Sequence, residues 1–548
     1  MLPVLPKETH SLLTRDRVRL DADVYRPDAP GEFPVLLMRQ PYGRAIASTV
    51  VYAHPLWYAA QGYMVVIQDV RGRGTSEGEF RLFEQEIEDG YETVQWAAAL
   101  PGSSGAVGMY GFSYQGMTQL YAAIARPPAL KALCPAMLGY DLYQDWAYEN
   151  GAFCLQANLG WAIQIAAETA RLRGDAEAYR QLAIAAKNLP LMDSIPTQPE
   201  ILKQLDPDSF YHTWLHAAAA DEYWQRLSPK TYLNQLDLPM LHIGGWFDTF
   251  MRGTLQLYQA MTARSAYPQY LVVGPWAHLP WGRKVGALDL GVAANSPCDR
   301  LQVQWFDHWL KGKPSEIMTQ PPVQLFVMGE NQWRYFPAWD EATTAVGLHS
   351  TGRAAMDDQD GRLWLAPPDA PIPDVPIPDV IVHDPWRPVP AGGGHAAFPT
   401  GPQERSALDS RTDVLTYTSE PLPAPLDLIG EITLSLTCRA DQPSFDVAAV
   451  LSEVRPNGTV FNLAQGYIHV PPGTPTTPLT FQIQPIAARI AAGHALRLSL
   501  SGAYFPAYPV NPGTGAIATT PLAAQQITTI LIDPAGSQIH LPIRSPVS

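Results

Sequence analysis

Val107-Gly108-Met109-Tyr110-Gly111-Phe112-Ser113-Tyr114-Gln115-Gly116 is the stretch that decides the fold. An apolar run enters it, small residues flank the serine, and a helix-compatible segment, residues 117–125, leaves it. That order predicts a strand, a sharp turn and a helix, with Ser113 on the turn. A nucleophile elbow needs this arrangement, because the tight turn exposes the hydroxyl and the helix N-terminus behind it favours developing negative charge. The usual pattern puts its second glycine two residues after the serine. Here Gln115 holds that place and the glycine follows at Gly116. Alone, Gly-x-Ser also fits an ordinary turn.

Two downstream segments add to it. Leu238-Pro239-Met240-Leu241-His242-Ile243-Gly244-Gly245-Trp246-Phe247-Asp248 reads as a strand ending in a glycine pair and an acid. Tyr270-Leu271-Val272-Val273-Gly274-Pro275-Trp276-Ala277-His278 is a short apolar run ending in a histidine. Ser113, Asp248 and His278 thus follow strands in the chain order of an α/β-hydrolase triad. The chemistry requires all three types. A serine hydroxyl is a weak nucleophile until an imidazole takes its proton, and the acid fixes the imidazole tautomer.

Outward from these strands the chain divides into three units. Val18, Leu20, Ala22 and Val24 alternate with polar neighbours, an antiparallel strand signature. Residues 34–38 and 64–68 are the continuous apolar runs of a buried parallel sheet, and residues 84–100 carry an amphipathic helical pattern. The expected domains are an α/β-hydrolase unit over residues 1–144 and 236–319, interrupted by a helical cap over residues 145–235. Residues 320–548 form the third unit. Proline becomes dense there, notably over residues 367–390, and short alternating runs appear at 432–436, 447–451, 496–500, 527–532 and 539–543. Turn signals such as Pro456-Asn457-Gly458 separate them. This predicts an all-β jelly roll of the galactose-binding-like kind, expected to buttress the enzyme rather than bind carbohydrate.

Composition sets further bounds. A chain of 548 residues with net charge -15 has room for about three or four domains and is a poor partner for nucleic acid or an anionic membrane surface. The N-terminal residues have no apolar signal region, and no stretch approaches the length of a membrane span. A cytoplasmic location is expected. The four cysteines, Cys134, Cys154, Cys298 and Cys438, form no CxxC pair. His212 and His216 have helical i,i+4 spacing but no following Glu and no evident third ligand, so no metal or other cofactor is expected. Residues 72–78 lack the lysine and spacing of a phosphate loop, and Asp69 with Arg71 reads as a structural pair.

With these residues in hand the chain resembles the CocE/NonD family of serine hydrolases, relatives of bacterial cocaine esterase, X-Pro dipeptidyl peptidases and α-amino ester hydrolases. The stretches that carry the resemblance are Arg39-Gln40-Pro41-Tyr42-Gly43, Gln68-Asp69-Val70-Arg71-Gly72-Arg73-Gly74-Thr75-Ser76-Glu77-Gly78, the Ser113 elbow, the segments ending in Asp248 and His278, and His383-Asp384-Pro385-Trp386-Arg387-Pro388-Val389-Pro390. They span all three units, and the family tolerates the elbow spacing seen here. The resemblance implies an oxyanion hole made by the Tyr42 hydroxyl and the Tyr114 N–H, and a homodimer whose interface the sequence does not reveal. It also implies an acyl pocket lined by Trp146, Trp161, Phe250 and Phe398. The α-amino ester hydrolases bind the substrate ammonium with acids two and three residues after the triad Asp. Phe250 and Met251 stand there in this chain, although Asp145 keeps a carboxylate near the cap.

The expected activity is hydrolysis of a small-molecule ester, or of an amide, through an acyl-enzyme. An X-Pro dipeptidyl peptidase and an acyltransferase are the alternatives, with a non-catalytic carbohydrate-binding protein behind them.

Overall fold

The computed structural model describes residues 1–45, 49–365 and 377–544. The part of the proline-dense stretch before residue 377 lies outside them. In chain order the first strands are β1 (Glu8–Leu13), β2 (Arg19–Tyr25), β3 (Phe33–Gln40), β4 (Met64–Asp69), β5 (Ser103–Phe112) and β6 (Leu130–Ala136). Then come a short hairpin of β7 (Tyr148–Glu149) and β8 (Ala152–Phe153), strands β9 (Met240–Phe247) and β10 (Gln269–Ala277), a second short hairpin of β11 (Lys284–Val285) and β12 (Leu288–Asp289), and strands β13 (Val323–Val327) and β14 (Gln332–Phe336). One sheet runs in the order β1-β2-β4-β3-β5-β6-β9-β10-β13-β14. From β4 to β13 the neighbours are parallel, with antiparallel pairs at both edges.

The apolar runs are continuous because both faces of this sheet are covered. Val35 and Leu37 of β3 enter one core with Val94 and Ala97 of α2 (Glu86–Ala98) and Met117 and Leu120 of α3 (Tyr114–Ile124). Leu36 and Met38 enter another with Tyr58 of α1 (Pro55–Ala60) and Trp305 and Phe306 of α10 (Cys298–Lys311). Between β6 and β9 lie α4 (Leu155–Leu172), α5 (Ala176–Lys187), α6 (Glu200–Leu205), α7 (Phe210–His216) and α8 (Glu222–Leu227), and α9 (Met251–Thr262) follows β9.

β13 and β14 belong to the hydrolase sheet, so ending that unit at residue 319 falls short. Val323 to Leu325 pair in parallel with β10, and β14 hairpins back on β13. The loss of helical pattern after residue 320 reflects the sheet's last two strands before it reflects a new unit.

The remaining strands, β15 (Thr344–His349), β16 (Arg362–Trp364), β17 (Asp379–His383), β18 (Val414–Thr418), β19 (Leu426–Ala440), β20 (Phe445–Val454), β21 (Val460–Val470), β22 (Leu479–Ile490), β23 (Ala495–Ser501), β24 (Thr528–Leu541) and β25 (Ile543–Arg544), form an all-β unit. Residues 527–532 and 539–543 were expected as two strands, yet one strand, β24, spans most of both. The polar interval between them is an irregularity in the ladder opposite Thr437, not a turn. Its inward residues share a core with β9, α9, β10 and β13 of the hydrolase sheet, among them Phe247, Leu255, Val273 and Leu325 against Ile432, Phe481 and Ile486. The two units therefore bury one continuous apolar interior. No described helix is long and apolar enough to cross a membrane.

Candidate active site

Ser113 has φ 61° and ψ -127°, a conformation that only a turn locked on both sides sustains in a residue with a Cβ. Its N–H donates to Ala136 O at 2.9 Å, which pins the turn to the end of β6. The shifted glycine has a steric reason. A Cβ at Gly116 would come 2.9 Å from Ala136 O, so that position must be bare. A Cβ at Gly111 would lie 2.5 Å from the Cβ of Gln115, whose amide oxygen accepts the Phe112 N–H at 3.3 Å. Gln115 therefore braces the strand end from within the helix. Tyr114 opens α3, where its N–H has no intrahelical acceptor. Its ring is buried, stacks on Phe83 at 4.6 Å between centroids and donates its hydroxyl to Glu86 at 2.8 Å.

Asp248 and His278 follow the C-terminal ends of β9 and β10. Nδ1 of His278 lies 2.8 Å from Oδ1 of the fully buried Asp248. The imidazole packs between Phe112, at 5.3 Å, and Phe250, at 5.1 Å. Phe112 directly precedes Ser113, so the histidine is seated against the elbow. Trp281 Nε1 donates to His278 O at 3.1 Å and fixes the loop.

Tyr42 lies in the loop after β3. Its hydroxyl accepts from Trp161 Nε1 at 3.1 Å. The residue as a whole is 37% exposed, but its hydroxyl end is enclosed, and desolvation there pushes the phenol up to about 12. The loop is clamped by Asp69. Oδ1 of Asp69 accepts the Arg44 N–H at 2.6 Å and Gln40 Nε2 at 3.3 Å, its Oδ2 accepts Arg44 Nη1 at 2.6 Å, and Gln40 Oε1 in turn accepts the Tyr42 N–H at 2.7 Å. Asp69 is thus the partner of Arg44, not of Arg71. Arg71 instead holds Asp89 at 2.6 Å and Asp16 at 2.7 Å. Successive loop residues turn their side chains to different neighbours, which sequence adjacency conceals.

Aromatic rings run from the histidine to the tyrosine. Phe250 meets Trp146 at 4.3 Å, Trp146 meets Trp161 at 5.1 Å, and Trp161 reaches Tyr42. Phe398 stands apart from this series. It is 58% exposed, and its N–H donates to Gln156 at 3.0 Å in the first turn of α4. Asp145 is fully buried and engaged by the Asp141 N–H at 2.8 Å and Gln256 Nε2 at 3.3 Å, and burial raises its carboxyl to about 6.

Several supporting residues gave no signal in the sequence. Gln484 of β22 donates to the backbone carbonyl of Asp248 at 2.8 Å, and Thr249 donates to His395 O at 2.8 Å. Arg252 of α9 pairs with Glu149 of the cap hairpin at 2.7 Å, and Glu149 also receives His395 at 2.8 Å and the Tyr508 hydroxyl at 2.6 Å. The all-β unit thereby holds the segment after the acid. No cluster of three or more metal-ligating residues exists among the described residues, His212 and His216 included.

Residues 16–280 match the X-Pro dipeptidyl-peptidase (S15 family), and residues 315–539 match the X-Pro dipeptidyl-peptidase C-terminal non-catalytic domain. The chain is 32% identical over 533 residues to cocaine esterase of Rhodococcus sp. (strain MB1 Bresler), covering 92% of each protein. Among solved structures, an aminopeptidase from the marine sediment archaeon Thaumarchaeota archaeon is 23% identical, with TM-score 0.80 over 98% of this chain and 96% of that one. An α-amino acid ester hydrolase is also 23% identical, with TM-score 0.78 over 99% and 97%.

Proposed function

The chain belongs to the CocE/NonD family of serine hydrolases, and from that premise we propose that it cleaves small-molecule carboxylic esters through an acyl-enzyme on Ser113. His278, oriented by Asp248, takes the proton from Ser113 Oγ as that oxygen attacks the ester carbonyl. The Tyr42 hydroxyl and the Tyr114 N–H receive the tetrahedral oxyanion. His278 then gives its proton to the leaving alcohol, and water activated by the same imidazole releases the acid and restores the serine.

The observation that carries this reading is the 2.8 Å His278–Asp248 bond, with the imidazole seated on Phe112 beside the strained Ser113 turn. Trp146, Trp161 and Phe250 are the proposed walls of the acyl pocket, with Phe398 at its rim. Rigid apolar rings suit a flat, uncharged acyl group. A substrate ammonium finds little here, because Phe250 and Met251 replace acids and Asp145 is already bonded within the protein.

The S15 match favours a second reading, cleavage of X-Pro dipeptides. One comparison separates the two: kcat/KM for an aryl benzoate ester against that for an Ala-Pro anilide, with Ser113→Ala as control. The expected result is a strong benzoate preference that disappears in the control. A preference for the anilide would install the peptidase reading, and full activity in Ser113→Ala would remove both.

A further inference from the structure

Trp161 joins the cap to the proposed oxyanion hole. It sits on α4, 119 residues beyond Tyr42 in the chain, and its Nε1–H donates to the Tyr42 hydroxyl at 3.1 Å. The acceptor is what matters. Trp246, Trp276, Trp281 and Trp333 donate their indole N–H groups to backbone carbonyls, which hold a ring in place and have no hydrogen to aim. Trp214 also donates to a phenol, Tyr223, but that pair lies within the cap. A hydroxyl acceptor differs from a carbonyl, because its own hydrogen turns about the C–O bond and answers to what the oxygen accepts.

The indole is held where this donation requires it. Trp146 packs on its ring at 5.1 Å, Phe210 of α7 at 4.9 Å and Trp214 at 6.0 Å between centroids. Tyr42 is fixed from the other side by its backbone, through the Gln40 amide and Asp69. That clamp sets where the phenol lies, not where its hydrogen points. With the Trp161 hydrogen directed at the oxygen, like partial charges keep the phenolic hydrogen turned away from the indole. An oxygen that accepts a hydrogen bond also donates a stronger one. Desolvation raises the Tyr42 phenol, and the Trp161 N–H acts against that rise, the direction expected for a strengthened donor.

We propose that Trp161 is a positioning residue of the oxyanion hole, whose indole N–H aims the Tyr42 hydroxyl at the substrate carbonyl. The inference rests on Tyr42 being the oxyanion donor, and it gives Trp161 a role separate from its ring's place in the acyl wall. A wall binds the ground state and the transition state alike, and so acts through KM. A donor already aimed costs no reorganisation as negative charge develops, and so acts through kcat. The cap thereby completes the hole: the hydrolase core supplies the donor, and α4 sets its direction.

The test replaces Trp161 by benzothienylalanine, which keeps the bicyclic ring and puts sulfur in place of the N–H, beside Trp161→Phe, which also shortens the ring. Aryl benzoate and aryl acetate esters are the substrates, since an acetyl group gains little from an aromatic wall. Benzothienylalanine is expected to lower kcat roughly three- to tenfold on both esters, the effect typical of one neutral hydrogen bond, with KM changed less than about twofold. Trp161→Phe is expected to show the same kcat loss on the acetate and in addition to raise KM for the benzoate. In a Tyr42→Phe background the benzothienylalanine replacement is expected to add little further loss, since the hydroxyl it acts through is absent. Unchanged kcat in both Trp161 variants, beside a lowered kcat in Tyr42→Phe, overturns the role of Trp161 and leaves the Tyr42 assignment standing. Losses that multiply in the double variant do the same. If Tyr42→Phe itself leaves kcat unchanged, the oxyanion assignment fails and this proposal with it.

Discussion

A phenol serves as an oxyanion donor only while it keeps its proton. Desolvation pushes Tyr42 up to about 12, so the hydroxyl remains a donor through the neutral and mildly alkaline range. It must also be free to turn toward the substrate, and its contacts allow that: Trp161 donates to its oxygen and leaves the phenolic hydrogen available. Tyr42→Phe removes this donor and little volume. We expect kcat to fall by about 10²–10³, the loss typical of one deleted oxyanion donor, with KM nearly unchanged. Steady-state kinetics on a chromogenic ester decides it, and a KM effect alone would make Tyr42 a substrate-binding residue instead. At this scale much of the site was legible in the sequence. Ser113, Asp248 and His278 each end an apolar run, and the fold turns those run ends toward one rim of the sheet. Tyr42 was legible only by resemblance, since Pro-Tyr-Gly reads equally as a turn.

The loops after β3 and β4 act as one element, although 25 residues separate Arg44 from Asp69. Asp69 gathers the backbone of Arg44, its guanidinium and the Gln40 amide, and Gln40 fixes the N–H of Tyr42. Burial raises the Asp69 carboxyl, and Arg44 offsets part of that rise. Replacing Asp69 by Asn keeps the shape and removes one of the two carboxylate charges, Asp69 and Asp23, that hold Arg44. The expected result is a modest loss of stability, since Arg44 Nε still pairs with Asp23 at 2.9 Å, and a drop in kcat that exceeds any change in KM, because Tyr42 loses its anchor. Denaturant melts and kinetics on the same preparation measure both. Unchanged kcat with lowered stability would make the clamp purely structural. None of this was readable beforehand. Periodicity identifies which residues form a strand, but not which loop carboxylate meets which arginine. The same limit explains the expected Asp69–Arg71 pair, and the failure to see β13 and β14 as hydrolase strands when only their neighbours in space mark them so.

Across the whole molecule, the cap, α9 and the all-β unit meet at Glu149. This carboxylate is 99% buried and is shared by Arg252, His395 and Tyr508, one from α9 and two from the all-β unit. Arg252, in the first turn of α9, lies four residues after Asp248, and Gln484 and His395 reach the same segment from the all-β side. The jelly-roll unit thus acts on the site as a brace, which the sequence suggested only as the plainer of two uses. Burial alone would raise Glu149, but the Arg252 and His395 charges and hydrogen bonds hold it at about 2, below its ordinary 4.5. A carboxyl depressed in the folded state stabilises fully above its unfolded pKa and loses that contribution as pH falls toward the folded value. The window here is pH 4.5 down to about 2, and the shift corresponds to an order of magnitude of about 3 kcal/mol. Glu149→Gln is expected to cost about 3–5 kcal/mol at neutral pH, because Arg252 is left buried without its partner. The stability gap between wild type and variant should hold constant from pH 7 to 5 and narrow steadily below 4.5. Taking the difference cancels groups that do not touch Glu149, including Asp145, whose raised carboxyl has the opposite sign and gains protonated stability as pH falls through about 6. Urea unfolding of both proteins across this range measures the gap, and a difference that stays flat down to pH 3 would show that Glu149 does not carry the acid sensitivity of the three-unit junction.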